Sequence, residues 1–173
     1  NILPLINEKT KLVWLETPTN PLMKLVDIQK VAELIKGKDI LLAVDNTFAT
    51  PYLQQPFKYE VDFVMHSTTK FLNGHGTAIG GILVGRDIEK MNTSITKTHR
   101  LFGGNSNAFD AFLLTNGLRT FGLRMERHCS NASQVAGYLN NHTGVAHVNY
   151  LGLDNHPDHA LAQRQMKHPG AML

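Results

Sequence analysis

Lys70 ends the run His66-Ser67-Thr68-Thr69-Lys70, directly after the apolar segment Asp62 to Met65 and ahead of a glycine-rich return into Ile82 to Val84. Lysine is costly to hold inside a folded domain because desolvation disfavours its charged form. One carried out of a buried strand among hydroxyls is a candidate for amine chemistry, although a lone lysine after a strand is ordinarily a solvated residue. Two further polar clusters follow short apolar runs. Lys11 to Leu15 leads into Glu16-Thr17-Pro18-Thr19-Asn20-Pro21, and Ile40 to Val44 leads into Asp45-Asn46-Thr47.

The elements that must position these residues follow from the pattern. The three runs are short and apolar throughout, as strands covered on both faces are. Between the first two, Asp27 caps a helix whose apolar positions Ile28, Val31, Ala32, Leu34 and Ile35 recur at helical spacing, and Gly37 stops it. Phe48 to Glu60 is proline-broken and irregular. Such an alternation indicates an α/β domain with a mostly parallel sheet, which places ligands at the carboxyl ends of its strands. Glu16 to Asn20, Asp45 to Thr47 and Ser67 to Lys70 all fall there, and together they define a crevice.

Beyond Gly85 the pattern changes. Asp87 to Arg100 is polar, and Ser106 can cap a helix through Ala108, Phe109, Phe112 and Leu113 to Gly117. A longer helix is expected along Leu123, Ala132, Val135, Ala136 and Leu139, with Met125 and Phe112 as core candidates. Val145 to Tyr150 alternates like a half-buried strand, and a short helix follows from Pro157 to Met166. Ala171-Met172-Leu173 reads as the start of another strand, so the chain is expected to be a piece of a longer polypeptide.

Bulk properties set the class. With 173 residues, 42% of them hydrophobic, there is enough apolar content for a core, and a net charge of +3 is scattered without a basic block, so no nucleic-acid partner is expected. No apolar run reaches the roughly 20 residues that span a membrane. A single cysteine, Cys129, rules out an internal disulfide and makes the cytoplasm the natural compartment. His128 and Cys129 are adjacent on a helix and do not face each other, which argues against a nucleophile pair.

A lysine, an aspartate and several hydroxyls have a chemistry in common. Lysine forms Schiff bases with carbonyls, a carboxylate can pair with a protonated ring nitrogen, and Ser or Thr hydroxyls can bind phosphate. Pyridoxal phosphate uses all three, with Lys70 on the aldehyde, Asp45 on the nitrogen, and Ser67 with Thr69 on the phosphate. A metal-dependent hydrolase using His66 and His75 with Asp45 and Asp62 is the competing class, and the nine dispersed histidines lack an H-E-x-x-H spacing. A noncatalytic scaffold is the third reading, opposed by the presence of both Lys70 and Asp45.

The motifs ETPTNP at Glu16 to Pro21, VDNTF at Val44 to Phe48, HSTTK at His66 to Lys70, NGH at Asn73 to His75 and RMERH at Arg124 to His128 occur together and in this order. The chain thereby resembles the Cys/Met metabolism, or trans-sulfuration, family of pyridoxal-phosphate enzymes over nearly its whole length. The resemblance implies a fold-type-I architecture, with residues 1–120 as the second half of the cofactor-binding domain. Residues 121–173 would form the connecting long helix and the beginning of a smaller carboxyl-terminal α+β domain. It implies that Lys70 bonds the cofactor and then shuttles protons, that Asp45 keeps the ring nitrogen protonated, and that Thr47 lies near the ring. Asn20 is similar to the residue on the phenolic-oxygen side, and Ser67 and Thr69 to the phosphate ligands. Also implied are an amino-acid substrate and a homo-oligomer, a tetramer of two catalytic dimers. Other parts of a complete site are expected before Asn1 and after Leu173.

The reaction is less sharply marked. Gly74-His75-Gly76-Thr77 is similar to O-acetylhomoserine sulfhydrylases, whereas the short route from Val84 to Arg124 is similar to cystathionine γ-synthase, cystathionine γ-lyase and methionine γ-lyase. The implied reaction is γ-elimination or γ-replacement on sulfur amino acids or homoserine esters, with the β-elimination of a cystathionine β-lyase as the alternative.

Overall fold

A computed structural model describes residues 2–173; Asn1 lies outside the described residues. The apolar runs form strands β1 (Leu12–Glu16), β2 (Leu41–Asp45) and β3 (Phe63–Ser67), joined by β4 (Gly81–Gly85) in the order β1-β2-β3-β4. The first three run parallel, with Glu16 opposite Asp45 and Asp45 opposite Met65, while β4 returns antiparallel and sets Gly81 opposite Ser67. The parallel pairing brings the three strand ends to one edge of the sheet, as the sequence predicts.

Helix α1 (Ile28–Ile35) is capped by Asp27, whose carboxylate accepts from the Lys30 amide, and its buried stripe is Ile28, Val31, Ala32 and Ile35. That stripe packs on Leu15, Leu42, Val44 and Val64, which alternate along the strands and so share one sheet face. Asp45 and Ser67 belong to the opposite set, the face away from α1. The proline-broken stretch after β2 holds α2 (Thr50–Leu53) and a 3₁₀ turn at Pro56–Tyr59.

Asp87 to Arg100, read only as polar, is helical: α3 (Ile88–Lys90) continues through a π-helical segment, Met91–Ile95, into α4 (Thr96–Phe102). None of these residues is buried, so no apolar stripe marked the helix in the sequence. Helix α5 (Ala108–Arg119) is capped by Asn107, one residue later than the expected Ser106, through a bond from the Asp110 amide. Phe112, a core candidate, is 59% exposed. After a break at Thr120, α6 (Phe121–Asn140) buries Met125, Cys129, Ala132 and Ala136, a stripe at helical spacing.

Val145 to Tyr150 is not a strand. Val148 and Tyr150 are buried in alternation, but they pack against Ala132 and Ala136 of α6 rather than pairing with a neighbouring backbone. Ala171 to Leu173 likewise forms no strand. Helix α7 (His159–Gln165) closes the chain, and its Ala162, with Met166, joins Met125, Cys129, Leu151, Met23, Leu25, Ala49 and Leu53 in a second core cluster. No helix among the described residues is long and apolar enough to cross a membrane.

Candidate active site

The edge formed by the ends of β1, β2 and β3 carries Asp45 and Ser67, and the loops that leave it carry Asn20, Thr47, Thr69 and Lys70. Asp45 is the last residue of β2, and its Oδ1 accepts from both the Thr47 amide at 2.9 Å and the Thr47 hydroxyl at 2.6 Å. Thr47 Oγ1 in turn accepts from the Ser67 amide at 2.8 Å, on the neighbouring strand. One hydroxyl thus ties the ends of β2 and β3 together and spends its proton on the carboxylate. Asp45 Oδ2 and the Ser67 hydroxyl accept or donate no protein hydrogen bond among the described residues, and both side chains are only half-buried. They are charged or polar groups held in place with capacity to spare.

Lys70 lies in the turn that leaves β3, its backbone amide bonded to the Ser67 carbonyl and its carbonyl accepting from the Gly74 amide at 2.7 Å. Its side chain is exposed. Thr69 Oγ1 accepts from the Gly80 amide at 3.1 Å, while its contact with the Gly80 carbonyl, 3.4 Å, is long for an O–H···O bond. The hydroxyl proton is therefore available to another acceptor. Asn20 stands exposed in the loop after β1, a turn closed by the Met23 amide donating to the Thr19 carbonyl and the Lys24 amide to the Thr19 hydroxyl. Asp45, Thr47 and Ser67 are thus joined by hydrogen bonds, Lys70 and Thr69 follow on the same chain segment, and Asn20 reaches the edge on a separate loop.

The free carboxylate oxygen, the free hydroxyls and an amine on one strand edge suit pyridoxal phosphate, which needs an acceptor for a protonated ring nitrogen, donors for a phosphate and an amine for an aldehyde. A metal hydrolase finds no such support. His66 lies on the α1 side of the sheet, buried, with Nδ1 lacking any hydrogen-bond partner. Burial pushes its imidazole below the ordinary histidine range, partly opposed by the Asn46 backbone and the Asp45 charge. Asp62 is engaged structurally, accepting from the Leu42 amide at 2.8 Å. His156 and His159, three apart, are each turned to the backbone: His156 Nδ1 accepts from the Asp158 amide, and His159 Nδ1 contacts the Leu151 carbonyl. No group of three or more possible metal ligands forms among the described residues.

Two sets of residues behind the site had no role assigned from the sequence, although Arg124 opens the RMERH motif. Gln54, at the end of α2, donates through Nε2 to the Thr17 carbonyl at 2.9 Å and to Asn46 Oδ1 at 2.8 Å, and its Oε1 accepts from Gln165 of α7 at 2.9 Å. This places a fully buried amide network directly under the loops that carry Asn20 and Asp45. The second is Arg124 of α6, whose guanidinium donates to the carbonyls of Phe71, Leu72 and Gly117. Apart from the bonds to Asn46 and Gly117, these contacts join residues 37 to 111 positions apart, beyond the reach of any local motif.

A parallel strand edge bearing a lysine, an aspartate and hydroxyls defines an α/β cofactor-binding domain. The comparisons make the class specific. The family model for Cys/Met metabolism PLP-dependent enzymes matches residues 1–173. The chain is 44% identical over 168 residues to cystathionine beta-lyase of Coxiella burnetii and 45% identical over 168 residues to cystathionine gamma-synthase of Mycobacterium bovis, covering 97% of this chain and 43% of each relative. It superposes on the crystal structure of metB from Corynebacterium glutamicum with a TM-score of 0.95 at 44% identity, covering 98% of this chain and 44% of that one. The chain belongs to the Cys/Met metabolism PLP-dependent enzyme family, and its sheet and helices are part of that family's fold-type-I α/β architecture. It spans less than half the length of these relatives.

Proposed function

We propose that the protein to which this chain belongs catalyses pyridoxal-phosphate-dependent γ-elimination or γ-replacement on a sulfur amino acid or homoserine ester. The observation that carries the reading is the relay from the Ser67 amide, three residues before Lys70 at the end of β3, through the Thr47 hydroxyl to Asp45 Oδ1, which fixes the carboxylate and leaves Oδ2 free. When bound, the cofactor supplies a ring that stores the electrons of a carbanion formed beside the substrate's amino group. Asp45, through its unengaged Oδ2, would hold the ring nitrogen and favour its protonated form, because a nearby carboxylate favours the charged form of a cationic partner. Thr47 sets the carboxylate's orientation and lies near the ring. The Ser67 and Thr69 hydroxyls would hold the phosphate, and Asn20 would lie on the phenolic-oxygen side of the ring. Lys70 would hold the cofactor through its amine, and the same amine would be the group that moves protons during the reaction.

Residues 1–120 then serve as the second half of the cofactor-binding domain, and residues 121–173 as the connecting helix and the start of a carboxyl-terminal domain. The same reading takes an amino acid as the substrate and, as the sequence resemblance implies, a cytoplasmic tetramer built from two catalytic dimers. β-Elimination of cystathionine is the second reading, kept because the chain is 44% identical to a cystathionine beta-lyase, about as similar as it is to a cystathionine gamma-synthase at 45%. The test is to incubate the full-length holoenzyme with cystathionine, methionine and O-acetylhomoserine, with and without sulfide or a thiol, and identify the keto acids or thioethers formed. Pyruvate and homocysteine from cystathionine would mark β-elimination. Inertness towards all three substrates would refute the reading, as would a Lys70→Ala protein that still traps cofactor at this site with borohydride.

A further inference from the structure

Two motifs have found no use in the site, Asn73-Gly74-His75 and the helix segment that begins at Arg124, and they meet behind Lys70. The turn after β3 folds back on itself: the Asn73 amide donates to the Thr68 carbonyl at 3.1 Å and the Gly74 amide to the Lys70 carbonyl at 2.7 Å. That leaves the carbonyls of Phe71 and Leu72 without partners in the turn, as at the end of a helix. Arg124 supplies them, with Nη1 donating to Phe71 at 2.8 Å and Nη2 to Leu72 at 3.3 Å and to Gly117 at 2.8 Å. Nε is held by the Thr120 hydroxyl at 3.1 Å, so the whole fork is fixed by the corner between α5 and α6.

Two glycines make the approach possible. A Cβ on Gly74, whose φ is +73, would fall 1.9 Å from Arg124 Nη1, and a Cβ on Gly117 would fall 2.2 Å from the Asn73 carbonyl oxygen. The turn is thus pressed between a guanidinium on one side and the α5 backbone on the other. A planar fork with several donors at fixed angles suits this task, whereas a lysine offers a single point charge.

We propose that Arg124 is a positioning residue for Lys70, clamping the turn that carries it so that the amine keeps one place through both roles, bonding the cofactor and moving protons. This rests on the reading of Lys70 given above. The hydrogen bonds of the guanidinium go to the Thr120 hydroxyl and to the carbonyls of Phe71, Leu72 and Gly117, so it acts on the backbone one to two residues past the lysine.

The experiment uses the full-length holoenzyme and the variants Arg124→Ala and Arg124→Lys. Borohydride trapping at Lys70 is measured first, then kcat and KM, then the pH at which the colour of the Lys70-bound cofactor changes. The expected Arg124→Ala protein still traps cofactor at Lys70, loses about 100-fold in kcat with KM little changed, as small misplacements of a reacting group do, and shows a shifted colour transition. Added guanidinium ion restores much of both, and Arg124→Lys recovers only part. Wild-type kcat and colour transition in Arg124→Ala would overturn the proposal, and so would a loss that guanidinium does not relieve and that follows cofactor occupancy alone. If Arg124→Ala does not fold, Gly117→Ala pushes on Asn73 with the guanidinium intact; the same fall in kcat with a shifted colour transition supports the proposal, and unchanged values overturn it. A wild-type enzyme in which borohydride traps nothing at Lys70 would instead refute the functional reading itself.

Discussion

Gln54→Leu is the sharpest test of how the strand ends are held. Gln54 is 1% exposed and uses its amide fully, donating to the Thr17 carbonyl and Asn46 Oδ1 and accepting from Gln165 Nε2, at 2.8–2.9 Å. Leucine fills a similar volume but leaves two buried acceptors and one buried donor unpaired. Each orphaned group costs about 1–3 kcal/mol, and the gain from burying an apolar side chain returns about 2 kcal/mol. The Gln165 N–H keeps its geometry through its other bond, to the Val26 carbonyl at 3.1 Å, so the lower half of that range applies to it. The net expectation is a destabilisation of about 3–4 kcal/mol, a large share of the total for a globular protein. Urea unfolding of the full-length apoprotein measures it. Gln165→Leu removes the shared bond from the other side, so the double variant should cost less than the sum of the singles by about 1 kcal/mol. A Gln54→Leu loss below 1 kcal/mol, or strict additivity in the cycle, would refute the view that this amide joins α7 to the loops under the site.

Other perturbations give separate readouts. Thr47→Val deletes both the bond from the Ser67 amide and the bond to Asp45 Oδ1. It should weaken cofactor binding by about 10- to 100-fold, the worth of a charge-assisted bond of 1.5–3 kcal/mol, as read by titrating apoprotein with pyridoxal phosphate. Asp45→Ala should lower cofactor affinity and kcat together, and unaltered turnover would remove its assigned role. Met125→Ala, at a site with no exposure, should cost about 2–5 kcal/mol by leaving a cavity. His66 and His156 are both pushed by burial below the ordinary histidine value of 6.5. The unfolded chain then takes up their protons first, so stability is full above that pH and falls as pH drops below it, by up to about 1.4 kcal/mol per pH unit and group. His66→Leu should flatten part of the acid slope in pH-dependent unfolding, and an identical slope would count against a buried neutral imidazole.

The strands were legible because the runs ending at Leu15, Val44 and Met65 are short, apolar and each followed by polar residues, and parallel pairing needs little more to align their ends. Helix α1 was legible because one stripe of it meets the sheet. Helices α3 and α4 were not, since a helix that buries nothing in this chain carries no apolar period to read. Val148 and Tyr150 misled for the converse reason: their alternation is real, but it serves packing on α6, and alternation cannot tell a ladder from a packed loop. In the site, Lys70, Asp45, Ser67 and Thr47 could be read because strand and motif lie together in the chain. Gln54 could not, and Arg124 was visible only as the first residue of a motif without a task, because what they hold was brought to them by folding.

Helix α6 has a mechanical consequence. Met125 and Cys129, which join the second core cluster, lie at the end where Arg124 grips the turn, whereas Asn140 is fifteen residues beyond Met125, about 22 Å at 1.5 Å per residue. A rod pivoting near Met125 that swung 3 Å at its far tip, roughly 8°, would move a point one turn from the pivot by only about 0.7 Å. The helix is geared down toward the lysine, so segments packed at its distal end can shift while the amine stays nearly still.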